Sequence, residues 1–165
     1  MKHLKKIVSL LLTAVMVLAM CIPVMAANVD ITNHEFEAYQ IFTGDLDGKK
    51  LSNIEWGNGV KKSDLLAETA LAGCTTATEV ADKLIGESPE ISSDDFIKLV
   101  SLHLTDTKTS GKGSIALPAA GYYLIKDISD VQHKNDAKNL TLLKVSAAET
   151  VTPQVKTDKP TLEKK

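Results

Sequence analysis

Residues 35–59 read EFEAYQIFTGDLDGKKLSNIEWGNG, and the fold turns on how this run is interpreted. From Glu35 to Phe42 the side chains alternate with the strand period of two. Phe36, Ala38, Gln40 and Phe42 share one face, and Glu35, Glu37, Tyr39 and Ile41 share the other. Neither face is purely polar, so other segments must cover it. Asp47-Gly48 supplies a dipeptide that accepts the positive φ of a hairpin turn, and Leu51, Ile54 and Trp56 give the returning strand its apolar content. The run is therefore a β-hairpin, and its expected partner elsewhere is the strand Gly121 to Asp127, GYYLIKD.

Working outward from the hairpin, Val29 to Ile31 belongs to a first strand that turns at Thr32-Asn33-His34. After Gly59 the period changes. Ser63-Asp64 caps a helix running to about Ala72, with Leu65, Leu66, Thr69 and Leu71 near one side and Gly73 as its stop. Thr76 or Thr78 starts a second helix, with Val80, Ala81, Leu84 and Ile85 at helical spacing before Gly86 and Pro89. Ser92 caps a third, with Asp95 three residues on and a stripe of Phe96, Leu99, Val100, His103 and Leu104. About 50 residues of helix thus interrupt the sheet, each stripe packing onto it. Thr105 to Ser114 is a polar loop that returns the chain to β structure. Ile115 to Leu117 leads into Pro118, and in GYYLIKD Tyr122 and Leu124 oppose Tyr123 and Ile125. In Leu140 to Val145, LTLLKV, Thr141, Leu143 and Val145 oppose Leu140, Leu142 and Lys144. Thr150 to Gln154 is a last strand, and Lys156 to Lys159 a charged linker. The class is α+β.

The 165-residue length gives one domain plus accessories. The chain begins with a basic segment of Lys2, Lys5 and Lys6, an apolar run from Ile7 to Met20 and small or apolar residues at Val24-Met25-Ala26, which together read as a secretory signal peptide cut after Ala26. The run is short for a bilayer span and Pro23 ends it, which disfavours a membrane anchor. Leu18-Ala19-Met20-Cys21 approaches a lipidation signal, but Met20 stands where a small residue is needed. Loss of the three signal lysines leaves 16 cationic side chains against 21 acidic ones, a net charge of −5. All the cations are lysines. Without arginine there is no bidentate fork for phosphates or base edges, and the negative balance opposes nucleic-acid binding. Only Cys74 survives processing, so no intramolecular disulfide forms, and its reading is a small buried helical residue.

Patterns of enzymatic chemistry are absent from the sequence: there is no GxSxG elbow, no HExxH, no phosphate-binding glycine loop and no paired cysteines. His34, His103 and His133 fall in three different kinds of element, which disfavours a metal site, and GDLDG lacks the further ligands of a calcium loop. No cofactor is implied. Asn139-Leu140-Thr141 matches a glycosylation sequon by coincidence. Trp56, Tyr122 and Tyr123 allow a sugar-binding surface, although aromatic residues in strands more often fill the core.

EAYQIFTGDLDGKKLSNIEWGNGV, LPAAGYYLIKD and the closing TPQVKTDKPTLEKK, in that order, resemble the N-terminal domain of a Gram-positive, sortase-assembled fimbrial subunit, or pilin. The resemblance implies an Ig-like β-sandwich of pilin N-terminal type at residues 28–150, with a helical insertion at about 60–105. It makes 151–165 a linker and the start of a next Ig-like domain. It also implies a non-catalytic, cell-wall-anchored surface protein whose partners are other pilin subunits, a sortase and a host protein or glycan. Membrane contact would come only through the signal peptide or an anchor beyond this sequence. The family's junction carries a Tyr-Pro-Lys type motif, whose lysine a sortase links to the preceding subunit. Here Thr152-Pro153-Gln154 stands in its place, and an amide cannot be the amine nucleophile. Lys156 is the nearest substitute, and the departure favours a minor or tip subunit. PTLEKK resembles the first strand of the next domain, which makes Lys164 the candidate for an isopeptide bond to a downstream Asn. Lacking a sorting signal, the sequence reads as the leading fragment of a longer protein. A secreted carbohydrate-binding module is the alternative.

Overall fold

A computed structural model describes residues 32–47, 50–85, 89–129 and 140–153. The expected signal peptide with Ala26, the strand at Val29 to Ile31, Gly48 of the expected Asp47-Gly48 turn, His133, Gln154, Lys156 and Lys164 lie outside those residues. Strands β1 (Glu35–Asp47) and β2 (Lys50–Trp56) lead into three short helices, α1 (Lys62–Leu66), α2 (Ala77–Asp82) and α3 (Ser93–Ser101). Five strands follow: β3 (Thr109–Lys112), β4 (Ile115–Leu117), β5 (Gly121–Asp127), β6 (Leu140–Val145) and β7 (Glu149–Val151). The protein is mostly antiparallel β-sheet with a few short helices.

The hairpin forms as its sequence predicts, closed by the Asp47↔Lys50 pair. β1 spans 13 residues and is the hub of the larger sheet, whose order is β2-β1-β5-β6 with β3 also on β1. On one edge β3 pairs with Glu35 to Ala38 and β2 with Phe42 to Asp47, while on the other edge β5 pairs with Phe36 to Phe42. The expected β5 partner is therefore joined by another, β3, inside what reads as a polar loop. TSGK has no apolar alternation, and it holds its place through ladder hydrogen bonds to β1 on a half-exposed edge. β4 and β7 make a separate two-stranded sheet. The last strand ends at Val151 and begins one residue earlier than the sequence suggests.

The strict alternation of β1 also fails at one point. Gln40 pairs with Tyr123 but Phe42 pairs with Tyr122, so Ile41 is an extra residue and the strand bulges there. Phe42 is consequently turned away from the Phe36 and Ala38 face. It packs instead in the core that contains Tyr39 and Ile41. One face of the large sheet thus joins α1, α2 and α3 through Phe42, Tyr122, Leu124, Leu65, Val80 and Phe96, all buried. The opposite face sets Phe36, Ala38, Tyr123, Ile125 and Val145 against Ile115 and Leu117 of the small sheet. The alternations read in β5 and β6 sort their residues onto these two faces as expected.

Helix is scarcer than the periodicity suggests. The first predicted helix stops at Leu66, because Glu68 is extended, and resumes only as a 3-10 turn at Thr69–Leu71. Its first turn has no side-chain cap; Lys61, not Ser63, stands at that position. Gly73 does end the segment, with φ +86°. Cys74 is buried but lies in the turn before α2 rather than in a helix. α2 is capped reciprocally by Thr76 and Glu79, and α3 by Ser92, whose hydroxyl accepts the Asp95 N–H at 3.1 Å. Phe96 and Val100 of the predicted stripe are buried with Ile97, whereas His103 and Leu104 fall past the end of α3.

Candidate functional site

On the edge of β1 that carries β3 and β2, Tyr39 to Ile41 lie between the two pairings, and the chain leaving β2 fills that gap. The Gly57 N–H donates to the Ile41 carbonyl at 2.8 Å and the Gly59 N–H to the Gln40 carbonyl at 2.9 Å. A Cβ on Gly57 would lie 2.2 Å from the Gln40 carbonyl oxygen, so this approach admits only glycine. From the other edge Gln40 Nε2 donates to the Ala120 carbonyl at 3.1 Å, and Gly121, at φ +146°, brings its backbone against the Phe42 carbonyl. EAYQIF, WGNG and AAGYYLI are thereby one packed unit.

The loop is tied further along. The Lys61 N–H donates to the His103 carbonyl at 2.7 Å, the Thr105 N–H to the Gly59 carbonyl at 3.1 Å, and the Thr105 hydroxyl to the Asn58 carbonyl at 2.8 Å. Residues of the run from Trp56 to Asp64, all but Gly59, line an open depression of about 570 Å³. Trp56 is half-buried, with its ring 5.3 Å from Phe42, which in turn stacks on Phe96 at 5.9 Å with the planes 6° apart. Tyr122 and Tyr123 are buried on opposite faces of the sheet, 1% and 2% exposed, which leaves Trp56 as the accessible member of the three candidate sugar platforms. The Tyr123 hydroxyl donates to the Ala119 carbonyl at 3.0 Å, while the Tyr122 hydroxyl finds no partner among the described residues, and burial pushes its pKa up.

The histidines are not brought together. His34 Nδ1 donates to Asp127 Oδ2 at 2.6 Å at one end of the sheet, and His103 Nε2 donates to Glu68 Oε1 at 2.7 Å beside the helices. No group of three or more metal-ligating side chains exists among the described residues. Asp127 is the buried charge that sequence reading missed. Burial pushes its carboxyl pKa up, but hydrogen bonds from the Ser129 N–H and His34 outweigh this and hold it below the usual range. The same Ser129 hydroxyl accepts the Glu35 N–H at 2.6 Å, tying the start of β1 to the end of β5. On β1 itself Glu37 accepts from Tyr39 at 2.7 Å and pairs with Lys108. Burial raises the Glu37 pKa, and the Lys108 and Tyr39 hydrogen bonds bring it net lower. The His34, Asp127 and Ser129 contacts brace the start of β1 against the end of β5. At the expected junction, Thr152 is exposed and Pro153 buried. No helix among the described residues is long and apolar enough to cross a membrane. In comparisons with protein-family models, curated proteins and solved structures, the chain matches none.

Proposed function

We propose that the chain is a surface-exposed structural or adhesive subunit of a Gram-positive fimbria, without catalytic activity of its own, and that its described part is an Ig-like β-sandwich with a helical insertion. One observation carries this reading. Two of the three segments on which the pilin resemblance rests, far apart in sequence, pack on each other at the β1 bulge through Gly57, Gly59, Gln40 and Gly121. Residues that converge in space specify a shared core, whereas scattered coincidences have no reason to converge. The sheet-on-sheet packing of β4 and β7 against the Phe36 face agrees with a sandwich, and the helices cover the face that Phe42 joins.

In this reading the protein leaves the cell through its signal peptide, is joined to other subunits by a sortase and stands in the cell wall. With Gln154 at the motif position, the amine for any inter-subunit bond at this junction falls to Lys156. Carbohydrate binding as the whole function is weakened by the burial of Tyr122 and Tyr123. Immunogold electron microscopy of producing cells, with antibody raised against residues 27–153, tests the proposal. Label on surface fibres, along the shaft or at the tips, is expected. Label confined to the culture fluid, with bare fibres, would refute it.

A further inference from the structure

The depression beside Trp56 is open, and polar side chains around it are left unspent. The indole of Trp56, in its lining, is held in place because it packs on Phe42, and Phe42 on Phe96. Its backbone is fixed because the N–H groups of Gly57, Gly59 and Lys61 and the carbonyls of Asn58 and Gly59 all make internal hydrogen bonds. Around the indole stand the exposed side chains of Asn58, Lys61, Lys62, Ser63 and Asp64, none of which makes a hydrogen bond or ion pair among the described residues.

That combination selects a ligand chemistry. An extended peptide binds by adding backbone hydrogen bonds to a free edge, and here the amides of Gly57, Gly59 and Lys61 are already committed. The exposed polar side chains around a half-buried indole suit something that offers an apolar face to the indole and several hydroxyls to a polar rim. A pyranose ring does both. Two lysines against one aspartate give the rim a positive balance on a chain whose net charge is −2, which favours an acidic sugar over a neutral one. We propose that the Trp56 depression is a binding site for a pyranose sugar carrying a carboxylate, with the indole under the ring and Lys62 and Asn58 among the polar contacts.

This inference rests on the adhesive branch of the function proposed above and specifies what would be adhered to. Trp56 is the single tryptophan of the chain, so its emission reports on the site alone. The full chain is titrated with glucuronate and, at matched ionic strength, with glucose, which differs from it by the carboxylate. A saturable emission change with glucuronate in the millimolar range, at least several-fold weaker with glucose, is expected. Lys62→Glu should weaken glucuronate binding about tenfold, the worth of a lost charge-assisted hydrogen bond, and Asn58→Ala should weaken it less. Both side chains are exposed, so melting curves should match the parent and separate binding from folding. No saturable change with either sugar, equal binding of the two, or binding untouched by both substitutions would overturn the proposal. Because the titration needs no fibre, such a failure leaves the fimbrial reading to its own microscopy test.

Discussion

Replacing Gly121 by alanine perturbs the point where the β1 bulge meets β5. The added Cβ would sit 2.3 Å from the Phe42 carbonyl oxygen and 3.1 Å from Gln40 Nε2. The first contact is with backbone, so a rotamer change cannot relieve it. Holding an L-residue at φ +146° costs about 1–3 kcal/mol, and forcing extra volume into a packed site costs about 1–3 kcal/mol more. The sum, about 2–6 kcal/mol, is a large share of the roughly 5–15 kcal/mol by which a domain is stable. At about 4 °C per kcal/mol for a domain of this size, it corresponds to a fall in melting temperature of about 8–24 °C. Thermal and urea unfolding followed by circular dichroism would measure it. The change should move the urea midpoint with little effect on the slope. A variant within about 0.5 kcal/mol of the parent would mean that Gly121 does not abut the bulge, and the reasoning about β1 would fail with it.

Phe96→Ala removes the ring that stacks on Phe42 and should cost about 3–5 kcal/mol in the same assay, since both rings are fully buried. Asp127→Asn tests the pH dependence. Because the folded Asp127 pKa is depressed, its stabilisation is present above the unfolded carboxyl value of about 4 and is lost as pH falls through the folded one. The variant should lose about 1–3 kcal/mol at pH 7 and show a flatter acid limb below about pH 4. An unchanged acid limb would remove Asp127 from that account. Residues 28–150 should carry no internal crosslink, because no lysine lies between Asn28 and Gly48 to bridge the opening strand. Intact-mass analysis showing loss of one water, mapped to the Lys108 and Glu37 pair, or of one ammonia anywhere in this span, would contradict that expectation.

The hairpin strands, β5, β6 and the cap of α3 were legible because each is a local signal, alternation or a Ser three residues before an acid, while Thr76, the cap of α2, was one of two candidates. β3 was hidden because TSGK contributes backbone rather than apolar side chains. The bulge at Ile41 was hidden because a register shift depends on two strands at once, and it moved Phe42 to the face that the helices cover. The first helix was overstated because Leu65, Leu66 and Leu71 recur at helical spacing while the backbone turns extended at Glu68 between them. At the depression, Trp56 was visible as an aromatic candidate. The density of glycine in WGNG was the available clue to its rigid loop, since the carbonyls that demand those glycines come from β1, some 17 residues away in the sequence.

Membership of a covalent fibre is the central functional claim, and boiling cell-wall extracts of producing cells in detergent before immunoblotting against this domain tests it most directly. Amide bonds made by a sortase survive such treatment, whereas non-covalent association does not. The account predicts a ladder of high-mass species carrying the epitope, lost when the sortase is deleted. A single band at the mass of the free chain, the same with and without the sortase, would contradict it.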